Sequence, residues 1–205
     1  MKKKVIFVFA VVLLPFVASA QFSLNVGYLH QTSHTSEPIY NYAPDNIGTW
    51  ALYAEADYNF RLPYNLGVSL GARISSTTTM DLSEFLKKGY AVYKETNYCV
   101  PLRLSYTFSG FLLDWDLSPF VGVLAQYTGS AFYEEDATPL HINYCDETST
   151  HAIKKFTMMP TVGFGVAKAH WQVNVEYAPV SLSRSLHGNY THWQSGLTVG
   201  VGYRF

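Results

Sequence analysis

The stretch NLGVSLGARIS, residues 65–75, decides the fold, because its apolar and polar residues alternate without a break. One face of the extended chain is small or polar, and the other is apolar: Leu66, Val68, Leu70, Ala72 and Ile74. A period of two is typical of a β-strand whose two faces meet different surroundings. A tilted strand of about 9–11 residues also crosses a bilayer. The stretch therefore predicts a membrane strand with its apolar face towards lipid.

The same alternation recurs in further segments of the chain. They cover residues 22–28, 50–59, 98–108, 120–127, 156–167, 171–177 and 196–205. Aromatic residues stand at both ends of several apolar faces, as Trp171 and Tyr177 do. Amphipathic rings collect at the two interfaces of a bilayer. Together the segments predict an all-β fold, an eight-stranded antiparallel up-and-down transmembrane β-barrel.

The composition agrees with a barrel and disfavours other classes of protein. Charged residues make up 14% of the chain and aromatic residues 16%, with a net charge of −1 and a mean hydropathy of +0.03. A soluble domain usually has about 25% charged residues. The near-zero net charge gives no field that would attract nucleic acid.

The first residues are typical of a secretory signal peptide. Lys2, Lys3 and Lys4 precede the apolar run 5–17, and Ala18-Ser19-Ala20 forms a small-x-small cleavage site. We therefore expect residues 1–20 to be a cleaved signal peptide and residues 21–205 to form the barrel domain.

The connections between the strands alternate in length. Short ones are expected at about 60–64, 109–118 and 168–170, and long ones at about 31–48, 76–96, 128–155 and 180–194. Short periplasmic turns and long extracellular loops are typical of outer-membrane barrels. With an even number of strands, both termini are expected in the periplasm.

Two short motifs carry a family resemblance. Residues 200–205, GVGYRF, resemble the last strand of Gram-negative outer-membrane barrels, and residues 118–123, SPFVGV, resemble a strand opening in small barrels of the OmpA/OmpX-like superfamily, which includes the PorT-like barrels of Bacteroidetes. The resemblance implies that Tyr203 and Phe205 are an assembly signal read by the barrel-assembly machinery. It also implies that lipid of the outer membrane surrounds the barrel. Members of the superfamily are anchors, adhesins, small pores or lipid-modifying enzymes, so the resemblance leaves the function open.

Charged residues fall on the face that points into the barrel. Strand parity places three acidic and three basic residues there: Glu55, Asp57, Glu176, Arg73, Arg103 and Arg204. An eight-stranded lumen is just wide enough for side chains to fill it. We therefore expect ion pairs that fill the lumen, Glu176 with Arg103 and Asp57 with Arg204; a permeation path is the alternative.

Catalysis and metal binding have weak support. His187, His192 and Ser195 lie near the last long loop, but no spacing fixes a nucleophile next to a base. The set His141, Cys145, Asp146, Glu147 and His151 matches no established metal-site spacing. We expect no enzyme activity, catalytic residue, metal or cofactor.

Cys99 and Cys145 are the two cysteines of the chain. An exported protein reaches an oxidising compartment, so we expect a disulfide between them, with two free thiols as the alternative.

Three functions are compatible with these observations. The first is a non-enzymatic outer-membrane protein whose filled barrel is a scaffold and whose long extracellular loops contact an unknown ligand or surface partner. The second is a small pore, and the third is a lipid A-modifying enzyme.

Overall fold

The fold is taken from a computed structural model, which describes residues 20–35, 46–80, 91–135, 140–149, 151–187 and 192–205. Residues 1–19, which include most of the expected signal peptide, lie outside the described part. Within the described ranges, no helix is long and apolar enough to cross a membrane.

Ten strands form one antiparallel sheet, and eight of them close into a barrel. Each barrel strand pairs with its neighbours in the chain, β1 pairs with β10, and β4 pairs with β6. The remaining strands, β5 and β7, extend the two ends of β6. The bounds are β1 Ala20–Thr35, β2 Asn46–Arg61, β3 Leu66–Met80, β4 Ala91–Tyr106, β5 Phe108–Leu112, β6 Trp115–Glu135, β7 Leu140–Asn143, β8 Phe156–Lys168, β9 Trp171–Ala178 and β10 His192–Arg204. The predicted eight-stranded antiparallel barrel is confirmed.

One end of the barrel has tight turns. Tyr64 and Asn65 have φ of 63° and 62°, and Leu113 and Asp114 have φ of 48° and 65°. Paired residues with positive φ match the right-handed twist of the strands that they join. The stretch expected to be the turn 109–118 is therefore mostly the hairpin of β5 and β6. We call this end, at which β1 begins and β10 ends, the short-turn end.

The outer face is apolar over a limited height. Its middle is aliphatic, as at Leu70 and Leu102, which are 48% and 50% exposed. Aromatic residues border it on the short-turn side and on the opposite side: Tyr58, Tyr106 and Trp171 on the first, and Tyr28, Trp50, Tyr98 and Tyr127 on the second. This is the band that a bilayer with two interfaces covers.

The strands continue beyond the aromatic row that lies opposite the short-turn end, so the long connections are shorter than expected. β4 begins at Ala91 and β6 ends at Glu135, within segments expected to be loops. Outside the membrane both faces of a strand can be polar, so the alternation that marks a strand disappears. Residues 76–79, Ser-Thr-Thr-Thr, favour extended structure because threonine is β-branched.

Two glycines allow a close approach across the barrel wall. Gly27 of β1 is paired with Gly200 of β10, and the Tyr53 ring lies over both from inside. A Cβ at Gly27 would overlap with the carbonyl oxygen of Val199, and a Cβ at Gly200 would overlap with the Tyr53 hydroxyl. The small inward residues make room for large polar side chains in the lumen.

Candidate functional site

Five charged side chains meet in the middle of the lumen, and we call them the central cluster. Glu55 and Asp57 come from β2, Arg73 from β3, Arg103 from β4 and Glu176 from β9. Glu55 and Arg73 are directly paired across two neighbouring strands, whereas Arg103 and Glu176 reach across the lumen. The alternation of each strand is what points all five side chains inwards.

Arg103 is the hub of the central cluster. Its Nε lies 2.7 Å from Glu176 Oε2, and its Nη1 lies 3.0 Å from Glu55 Oε1 and 3.2 Å from Asp57 Oδ1. Arg73 donates from Nε to Glu55 and from Nη2 to Glu176 Oε1, over 2.8 Å for the latter. The expected pair of Glu176 and Arg103 is thus part of a larger network. Buried charges that are paired and hydrogen-bonded in this way avoid the large cost of isolated ones.

The structure differs from the expected pairing of Asp57 with Arg204. Ser23 of β1 is paired with Asp57 on one side and with Arg204 on the other. The whole of β1 therefore separates Asp57 from Arg204. Asp57 instead accepts hydrogen bonds from Arg103 and, at 2.8 Å, from Asn25 Nδ2. Arg204 turns to the edge of the barrel and donates from Nη2 to the Ala169 carbonyl at 3.2 Å. The central cluster therefore has three carboxylates and two guanidiniums.

An apolar layer lies beyond the central cluster, on the side away from the short turns. It consists of the buried residues Cys99, Leu124, Met159 and Ala178. Leu124 is opposite Pro101 in the ladder, and Met159 is opposite Leu124. Side chains from four strands thus meet on one side of the lumen at this level. Polar residues such as Ser75, Gln126 and Thr198 lie beside them, and the void between them is only about 20 Å³.

A second buried ion pair lies beyond the apolar layer, further from the short-turn end. Arg184 donates from Nη2 to Glu95 Oε1 at 2.8 Å and to Thr128 Oγ1 at 2.7 Å. Glu95 Oε2 also accepts from Tyr93 at 2.6 Å and from Gln194 at 3.2 Å. The side chains of Arg184 and Glu95 are both 0% exposed.

Arg184 belongs to a segment that continues the barrel wall after β9, between the chain before β8 and the start of β10. Backbone hydrogen bonds attach this segment, residues 181–186, to the surrounding chain: Leu182 N to Met158 O at 2.9 Å, Lys154 N to Arg184 O at 2.6 Å, Arg184 N to His192 O at 2.7 Å and Leu186 N to Ala152 O at 3.0 Å. We call residues 181–186 the mouth segment. The sequence did not predict this segment, because it lies in a stretch expected to be a loop. Strand parity cannot show which side chains point inwards there.

His192 lies beside this segment, at the start of β10. Its burial and the nearby Arg184 charge lower the pKa of His192 to about 4, so the ring is neutral at neutral pH. The Ser195 hydroxyl lies 3.4 Å from His34 Nε2, and His187 Nε2 lies 3.1 Å from the Ser149 carbonyl oxygen. In the described part of the chain, no three His, Cys, Asp or Glu residues form a group that could hold a metal ion.

Cys99 and Cys145 are both free thiols, so the expected disulfide is absent from the structure. Cys145 follows Tyr144, whose N–H donates to Ala131, and Ala131 is opposite Glu95. Cys99 lies four residues further along β4, a distance of about 13 Å at the usual rise of a strand. A disulfide needs Cα atoms within about 7 Å. An oxidising compartment was therefore not a sufficient reason to expect the disulfide.

The last residues complete the barrel at the short-turn end. The Phe205 N–H donates to the Phe22 carbonyl at 2.9 Å, and the two rings have centroids 5.7 Å apart. Tyr203 and Phe205 are also in edge contact, at 5.0 Å between centroids. Their role as an assembly signal stays a prediction.

Comparisons with known proteins support the fold. No protein-family profile and no curated protein matches the chain. Among solved structures, Neisserial surface protein A is similar over 91% of this chain and 99% of that chain, with a TM-score of 0.55 and 11% identity. The chain has the fold of the small outer-membrane β-barrels. Ail, the attachment invasion locus protein of Yersinia pestis, also matches over 91% of this chain and 99% of that chain, with a TM-score of 0.49 and 12% identity.

For a small outer-membrane barrel, the strand extensions past the apolar band set the position of the connecting loops. β4 and β6 stay paired up to Ala91 and Glu135, and β7 adds to the edge of β6 there. A half-exposed group lies on this extension, in which Lys94 is 3.8 Å from Glu134 and His141 is 3.5 Å from the same carboxylate. The loops are thus carried on a rigid sheet beyond the membrane.

Proposed function

We propose that the chain is a non-enzymatic protein of the bacterial outer membrane, with a filled barrel as scaffold and the extracellular loops as contact surface. In this proposal residues 1–20 are a cleaved signal peptide, both termini are periplasmic and the barrel-assembly machinery inserts the chain. The observation that carries it is that side chains fill the lumen at three levels: the central cluster, the apolar layer, and the buried pair of Glu95 and Arg184. A scaffold needs no passage through its lumen, and binding residues often lie on loops that a rigid scaffold positions.

We infer that the contact made by the loops is with a surface molecule outside the cell. The loops that would make it are those carried by the β4–β6 extension and by the segment before β8.

A surface cross-linking experiment tests the proposal. Intact cells are cross-linked, and partners captured by the unmodified protein are compared with those of a variant in which residues 145–149 are replaced by Gly-Ser repeats. The matched control replaces the turn residues Ala169 and His170 at the opposite end. We expect the loop variant alone to lose its captured partners. Equal capture by all three proteins would contradict the proposal.

Conductance distinguishes the scaffold from the small pore. In planar bilayers we expect no steady conductance from the unmodified barrel, because three closed levels lie in series. We expect the same for Arg184→Ala, since the apolar layer and the central cluster remain. Steady conductance in the unmodified protein would favour the pore. A changed lipid A mass spectrum in a deletion strain would favour the enzyme instead.

A further inference from the structure

The short-turn half of the lumen is a blind pocket. It has a volume of about 250 Å³ and opens at the short-turn end. Its floor is the central cluster, and neutral polar side chains form much of its wall, among them Asn59, Ser69, Ser105, Gln172 and Asn174. Because the levels above it are closed, a molecule that enters this pocket can leave only by the same opening.

Two arginines stand at the opening. Arg61 ends β2 and Arg204 ends β10, and β1 lies between them. Arg61 donates from Nη2 to Gln21 Oε1 at 3.0 Å. Two positive charges so placed repel each other, and the Asp116 carboxylate at the same opening offsets part of this repulsion. An anion between them would relieve this repulsion.

Arg204 retains a donor that nothing in the described structure satisfies. Its Nε is buried and has no hydrogen-bond partner, whereas its Nη2 binds the Ala169 carbonyl. Among the described residues no carboxylate lies within ion-pair distance of Arg204. Asp116, at the same opening, already accepts from the Gly110 N–H at 3.2 Å. A buried donor without an acceptor is costly, so Arg204 Nε calls for one.

The charged groups at the floor of the pocket differ in exposure. The Arg103 side chain is 11% exposed, against 3–5% for the three carboxylates that surround it. The most exposed of these charged groups at the floor is therefore the guanidinium of Arg103.

We propose that this blind pocket binds a small organic anion, with its carboxylate or phosphate held by Arg61 and Arg204. The planar guanidinium gives two parallel hydrogen bonds to such groups. The amide and hydroxyl side chains of the wall bind the polar remainder of the molecule. If the short-turn end faces the periplasm, as proposed above, the anion is either a free periplasmic acid or the carboxylate end of a peptide.

Calorimetry of the folded full barrel in detergent, at low ionic strength, tests this binding whatever the orientation in the membrane. The probes are succinate, inorganic phosphate, and a dipeptide with a free C-terminal carboxylate or its amide. We expect saturable binding of at least one anionic probe, weakened about tenfold or more in Arg204→Gln and in Arg61→Gln, since charge-assisted hydrogen bonds are about 1.5–3 kcal/mol each. The control Lys154→Gln removes one positive charge at the other end of the barrel and should bind like the unmodified protein.

The ¹⁵Nε–H signal of Arg204 gives a readout that does not depend on affinity. We expect it to shift on titration, because its donor gains an acceptor, whereas the signal of Arg73, already bonded to Glu55, stays in place. Stronger binding of the dipeptide acid than of succinate identifies a chain end as the ligand, and the reverse identifies a free acid. No saturable binding up to about 10 mM, roughly the weakest useful affinity, would overturn the proposal. So would equal weakening in the control, or binding of the amide as tight as that of the acid.

Discussion

At the scale of single residues, the central cluster predicts an order of mutational effects. Arg103 contacts all three carboxylates, Glu55 contacts both arginines, and Asp57 pairs with only one arginine, Arg103. We expect Arg103→Gln to destabilise the barrel most, because it leaves three carboxylates with one guanidinium. Breaking a buried pair costs about 3–5 kcal/mol.

Replacing Asp57 should have a smaller effect than replacing Glu55. Asp57→Asn leaves both arginines with their other partners, so we expect a loss of about 1 kcal/mol or less, the value of one ordinary hydrogen bond. Glu55→Gln removes a charged partner from both arginines at once. The free energy of unfolding in urea, measured in lipid vesicles, gives the order, and a larger loss in Asp57→Asn than in Glu55→Gln would refute it.

The cysteines make a second prediction at this scale. Cys145 is partly exposed and Cys99 is buried, and neither is bonded to the other. In the folded barrel we expect a maleimide to label one cysteine, Cys145, slowly at pH 7 and faster at higher pH, because burial raises the pKa of the Cys145 thiol. After unfolding without reductant both should be labelled. Cys145→Ser provides the control, and two unreactive cysteines after unfolding would mean a disulfide.

Individual pairs were the least predictable feature from sequence. Parity placed Glu55, Asp57, Arg73, Arg103 and Glu176 on the inner face, where the structure has them. Which acid meets which base depends on the stagger between strands, and a sequence does not specify that stagger. The separation of Asp57 from Arg204 by β1 is the consequence. The pair of Glu95 and Arg184 was missed altogether, since both residues lie in stretches expected to be loops.

At the scale of the strand, the outward face predicts sensitivity to charge. Leu70 lies near the middle of the apolar band, and Glu147 lies exposed in the segment between β7 and β8. We expect Leu70→Arg to cost about 2–4 kcal/mol, as arginine does at the midplane of a bilayer. Glu147→Arg, the control, should have almost no effect. Equal unfolding free energies for the two variants in vesicles would contradict the assignment of the outer face.

The contact between β1 and β10 predicts a steric effect. A Cβ at Gly27 would overlap with backbone atoms of Val199 and Gly200, and backbone cannot move aside as a flexible side chain can. We expect Gly27→Ala to destabilise the barrel by about 1–3 kcal/mol, the usual cost of overpacking. Gly48→Ala is the matched control, because its Cβ would meet the His30 ring at an ordinary 3.4 Å. Similar thermal stability of the two variants would argue against the close approach.

Alternation predicted the strands well where they cross the membrane and poorly beyond it. Residues 65–75 lie almost wholly within β3, but β3 continues to Met80 and β4 starts at Ala91. Within the bilayer one face must be apolar and the other polar, so the sequence carries the pattern. Beyond the bilayer both faces meet water, and the strands are held by β-propensity and pairing alone, which leave no periodic signal.

At the scale of the whole molecule, the barrel combines an outer surface built for lipid with a lumen closed by side chains. The polar interior would be costly in lipid, and the apolar exterior would be costly in water, so the two surfaces require both closure and membrane insertion. Two strand pairings complete the closure, β1 with β10 and β4 with β6, and we call them the seams. Alternation along the chain predicted the fold, and the long-range seams follow from the count and parity of the strands together.

Solution NMR of the barrel in lipid nanodiscs tests this architecture most directly. We expect backbone contacts between Val26 and Val201 and between Leu102 and Val123, one pair for each seam. We also expect lipid acyl chains to contact the methyl groups of Leu102, which is 50% exposed, and not those of Leu124, which is 6% exposed. Missing contacts at either seam, or lipid contacts at Leu124 in place of Leu102, would contradict the closed barrel with its apolar face outwards.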